Sequence, residues 1–113
     1  MRLGLFGGRF DPPHYGHLLV GEQVVEKLQL DALWFVPAQS PPHKRAQASP
    51  EARYEMLLLA TASNPRFRVS RLELERPGPS YTIDTVLEVE RRHPNAELYF
   101  VSGADAYRDI GSW

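Results

Sequence analysis

Leu3-Gly4-Leu5-Phe6-Gly7-Gly8-Arg9-Phe10-Asp11-Pro12-Pro13-His14-Tyr15-Gly16-His17 joins an apolar run to a glycine- and histidine-bearing segment near the start of the chain. Leu3 to Phe6 is a short apolar run that reads as a buried strand, and Gly7-Gly8 stops it. Residues 7–15 form a loop rich in Gly and Pro. A helix is expected from near Tyr15 to about Gln29, because Val20, Val24 and Leu28 recur at every fourth position with Val25 beside them.

The same order repeats downstream. Leu33-Trp34-Phe35-Val36 is a second apolar strand ended by Pro37, and residues 37–50 are a Pro-rich loop. Ser49-Pro50-Glu51-Ala52 reads as a helix start, with Ser49 as N-cap and Pro50 in the first helical position. That helix is expected to carry Ala52, Met56, Leu59, Ala60 and Ser63 on one face. Phe67-Arg68-Val69 suggests a third strand, with Leu72-Glu73-Leu74 leaving its end ambiguous. Residues 76–80 form a loop. A third helix is expected from about Thr82 to Arg92, ending before Pro94, and Leu98-Tyr99-Phe100-Val101 is a fourth strand that stops at Gly103.

Strands 1, 2 and 4 are apolar almost throughout. Such strands belong to parallel sheets covered by helices on both faces. The expectation is a three-layer α/β/α, Rossmann-like sheet in the order 3-2-1-4, forming one domain over residues 1–113. Ligands of these sheets bind outside the carboxyl ends of the strands. The unusual residues fall there: Gly7-Gly8, His14 and His17, then His43-Lys44, then Ser80-Tyr81-Thr82, then Gly103 and Asp105.

Composition sets outer bounds. The chain is 42% hydrophobic and 24% charged, ordinary for a globular domain, and its formal net charge of -1 offers no whole-chain field for nucleic acid or an anionic membrane. The absence of cysteine rules out disulfides, a thiolate nucleophile and Cys-ligated zinc. It fits a cytoplasmic protein. No signal peptide and no apolar run of membrane-spanning length is evident.

The loop between strand 1 and helix 1 suggests a phosphate site. Glycines let the backbone approach an anion closely. Unpaired N–H groups and the positive end of the helix dipole point at the same place. His14 and His17 are three residues apart, so both can face one point. No Gly-Lys-Ser/Thr follows and no G-x-G-x-x-G is present, so this is neither a Walker loop nor a dinucleotide fingerprint. Zinc would need a third ligand at suitable spacing, and none is found.

Gly7-Gly8-x-Phe10-Asp11-Pro12-x-His14-x-Gly16-His17 resembles the signature of the HxGH nucleotidyltransferases, which join a nucleoside triphosphate to a phosphate-bearing acceptor and release pyrophosphate. Pro41-Pro42-His43-Lys44 and Ser80-Tyr81-Thr82-Ile83-Asp84-Thr85 are similar to segments of the nicotinate mononucleotide adenylyltransferases in that superfamily. The resemblance implies ATP and nicotinate mononucleotide as substrates, with Mg²⁺ carried on ATP and no protein metal site. It implies His14, His17 and Lys44 as the catalytic groups. Gly7, Gly8, Phe10, Gly16, Gly103 and Asp105 would join the two histidines in binding ATP. Ser80, Tyr81, Thr82 and Trp113 would join Lys44 in binding the acceptor. Other phosphorylated acceptors, such as phosphopantetheine, and a non-catalytic nucleotide-binding fragment remain the alternatives. The superfamily continues beyond the equivalent of Trp113 with a further helix and strand, and with another triphosphate-binding segment. The 113-residue chain is therefore expected to be a partial domain, inactive alone.

Overall fold

The computed structural model describes residues 1–8, 10, 15–38, 49–75 and 82–102, except the side chains of Tyr15, Thr82 and Ser102. The elements run β1 (Arg2–Gly8), α1 (Tyr15–Leu28), β2 (Ala32–Pro37), α2 (Pro50–Thr61), β3 (Phe67–Val69), α3 (Thr82–Arg92) and β4 (Glu97–Ser102). All three strand pairings are parallel and the sheet order is β3-β2-β1-β4, as the alternation of strands and helices predicts.

Side chains alternate across the sheet and build two cores. On one face Phe6, Leu33, Phe35, Phe67 and Val101 pack with Val20 and Val24 of α1 and Leu57 of α2. On the other, Leu3, Leu5 and Val36 pack with Val89 of α3, and Trp34, Val86 and Leu98 border them. Gly21 lets α1 lie close to the sheet: a Cβ there would come within 3.1 Å of both Leu33 and Phe67. Two helices on one face and one on the other follow from right-handed crossovers, because the chain steps from β1 to β3 in one direction and then returns to β4.

Helix α2 begins as its sequence dictates. Ser49 is the N-cap, its Oγ accepts from the Ala52 N–H at 3.1 Å, and Pro50 opens the helix. Its inner face differs from the expected one. The buried positions are Arg53, Leu57 and Thr61, while Leu59 is 81% exposed and Ser63 lies beyond the helix end. Apolar residues occur on both sides of this helix, so hydrophobicity alone does not pick its inner face. A buried guanidinium and a threonine whose hydroxyl donates to the Leu57 carbonyl at 2.7 Å flank Leu57 on the inner face. Leu72-Glu73-Leu74 forms a turn and does not prolong β3.

Candidate active site

In the order β3-β2-β1-β4 the chain reverses direction between β1 and β4, which opens a crevice at their carboxyl ends. Gly7 and Gly8 finish β1 there, beside Ser102 of β4 and Pro37 of β2 respectively. A Cβ on Gly7 would come within 2.8 Å of the Phe100 ring, so glycine is what allows that ring to cover the strand end. Helix α1 starts on the same edge, with Gly16 and His17 in its first turn.

His17 is half-buried. Its imidazole meets the Phe10 ring edge-to-face at 4.9 Å between centroids, with Phe6 behind at 6.3 Å. Phe10 is 2% exposed and also packs on Phe6 and Phe35. The ring of Phe10 thus belongs to the core, in edge contact with the His17 imidazole. Of the remaining residues singled out from sequence, His14, Lys44, Ser80, Tyr81, Gly103, Asp105 and Trp113 lie outside the described residues, as does the side chain of Thr82, whose backbone opens α3.

The structure adds side chains that periodicity did not reveal. Ala38, the last described residue before the Pro-Pro-His-Lys segment, is held from two sides. Its N–H donates to the Gly8 carbonyl at 2.8 Å, and its carbonyl accepts from Nη1 of the fully buried Arg53 at 2.7 Å. At the start of α3, the Thr85 hydroxyl donates to the Glu73 carboxylate at 2.6 Å, with both side chains buried. Arg71, two residues before Glu73, donates twice to Glu51 of α2, at 2.9 and 2.6 Å, and stacks over Tyr54. The Arg71 guanidinium holds the Glu51 carboxyl below its ordinary value, mainly through those hydrogen bonds. Helix α2 therefore braces the ends of β2 and the turn after β3. Thr85 stood in the Ser-Tyr-Thr-x-Asp-Thr segment, but nothing in the sequence paired it with Glu73.

Among the described residues no three His, Cys, Asp or Glu side chains are grouped to hold a metal ion, and no helix is long and apolar enough to cross a membrane. An open surface depression lined by Glu22, Glu26, Asp31 and Arg66 lies at the opposite, amino edge of the sheet, away from the glycines and His17.

A parallel sheet in this order, interleaved with helices, is a Rossmann-like α/β architecture. The chain belongs to the cytidylyltransferase-like family, which it matches over residues 5–113. It is 62% identical over 113 residues to a probable nicotinate-nucleotide adenylyltransferase of Thermus thermophilus, covering 100% of this chain and 61% of that protein. It is 47% identical over 114 residues to the nicotinate-nucleotide adenylyltransferase of Bacillus subtilis, covering 99% of this chain and 60% of that protein. The chain thus spans about three fifths of the length of these relatives. The fold is that of Plasmodium falciparum nicotinic acid mononucleotide adenylyltransferase complexed with NaAD, with a TM-score of 0.78, 24% identity, and coverage of 99% of this chain and 56% of that one.

Proposed function

We propose that this chain is the nucleotide-binding part of a cytosolic nicotinate-nucleotide adenylyltransferase. In the reaction, a phosphate oxygen of nicotinate mononucleotide attacks the α-phosphorus of ATP. The bond from that phosphorus to the bridging oxygen breaks, giving deamido-NAD and pyrophosphate. The observation that carries this reading is the 62% identity, over the whole chain, to a relative of that name. The glycine pair, the start of α1 and His17 at the sheet reversal support it.

The acceptor phosphate is already ionised, so no general base or covalent intermediate is needed. Catalysis is positioning plus electrostatic stabilisation. Gly7 and Gly8 end β1 beside the triphosphate, and Gly16 adds no side chain to the first turn of α1 there. His14, His17 and Lys44 donate to oxygens of the α-phosphate and of the departing pyrophosphate, where charge grows. Mg²⁺ arrives with ATP, held by phosphate oxygens and water. Gly103 and Asp105 serve the nucleoside. Ser80, Tyr81 and the start of α3 at Thr82 take the nicotinate carboxylate, and Trp113 stacks on the pyridine ring.

Calorimetric titration of the full-length protein tests this reading. Saturable binding of ATP and of nicotinate mononucleotide is expected, with phosphopantetheine giving no heat. Binding of phosphopantetheine in preference to the pyridine nucleotide would contradict it.

A further inference from the structure

Phe10 combines three properties that its neighbours do not explain. Its backbone is left-handed, with φ 52°, a conformation that disfavours a bulky side chain. Its ring is nevertheless 2% exposed and wedged against Phe6 and Phe35. The same ring meets the His17 imidazole at 4.9 Å and 73°. A strained backbone persists only where the surroundings over-determine it, and such strain concentrates at functional sites. Here the backbone turn directs an aromatic ring from the loop after β1 back beneath the first turn of α1.

We propose that Phe10 is a positioning residue for His17, resting on the reading of His17 as a donor to the transferring phosphate. Edge-to-face contact between aromatic rings is directional. It confines the imidazole on its core side. Phe35 and Phe6, themselves stacked at 5.3 Å, back Phe10, so the orientation of the catalytic ring is anchored in the sheet. Phe10 acts through His17 and touches no substrate. A misaimed donor loses most where charge develops, so turnover should suffer and ground-state binding should not.

The test is a double-mutant cycle in the full-length enzyme, with Phe10→Leu and Phe10→Met as alternative ring-free variants and thermal melting to verify folding. In the wild-type background each is expected to lower kcat about tenfold, with both KM values within about threefold. In the His17→Ala background the same substitution is expected to change kcat less than about twofold, because the group it positions is gone. An equal fall of kcat in both backgrounds overturns the proposal. A wild-type protein that makes no deamido-NAD overturns the functional reading instead, and the proposal with it. Should neither variant fold, proton NMR of the wild type decides. Cross-peaks between the His17 imidazole and the Phe10 ring are expected, and their absence contradicts the positioning.

Discussion

Arg53 has no exposed surface, yet it sits on a helix whose Leu58 and Leu59 are exposed. A buried guanidinium is costly unless its hydrogens are engaged, and the Ala38 carbonyl engages one of them. Individual residues were the least legible level of this sequence. The glycine pair and His17 announced themselves by type and spacing, because few other needs place those residues at a strand-to-helix junction. Arg53 and Glu73 did not, since a charged residue in a pattern reads as solvated surface until a partner distant in sequence is known. Phe10 was legible as part of a motif but not as core. Two predictions belong here. For the full-length enzyme, His17→Ala should lower kcat at least about a hundredfold while the KM for ATP stays within about threefold. Steady-state kinetics showing only a raised KM would refute that role. Thr85→Val should destabilise the fold by about 1–3 kcal/mol by removing a donor from the buried Glu73 carboxylate, with Thr85→Ser close to wild type. Equal urea midpoints for wild type and the valine variant would show the bond to be without consequence.

At the level of elements, the boundaries followed from local chemistry. Ser49-Pro50 starts α2, and Gly7-Gly8 and Pro37 close strands. The inner face of α2 did not follow, because apolar side chains surround the helix and tertiary packing selects the face. The ion pair between Glu51 of α2 and Arg71 ties this helix to the turn after β3, and it carries a pH signature. Because the folded carboxyl titrates below its ordinary value of 4.5, its stabilising contribution is fully present above that value and is lost as pH falls through the folded value. The effect is modest, since the pair is exposed to solvent. The urea-midpoint difference between wild type and Glu51→Gln should therefore be constant from about pH 7 down to about pH 5 and shrink toward about pH 3. A difference that grows in acid would show that the carboxyl is not held ionised by Arg71.

Over the whole molecule, sheet order was readable because the apolar strands, the crossover rule and the position of the unusual residues agree on one topology. Among the described residues β4 has a partner only on its β1 side, and Phe100 on it remains 36% exposed. An apolar edge of this kind calls for cover. The proposed adenylyl transfer is tested by pyrophosphate release from the full-length protein with ATP and Mg²⁺, comparing nicotinate mononucleotide, its amide and phosphopantetheine as acceptors. Rapid release with nicotinate mononucleotide, at least about tenfold less with the amide, and none with phosphopantetheine is the result expected from an acceptor carboxylate held at the start of α3. Release with phosphopantetheine, or with none of the three, would contradict it.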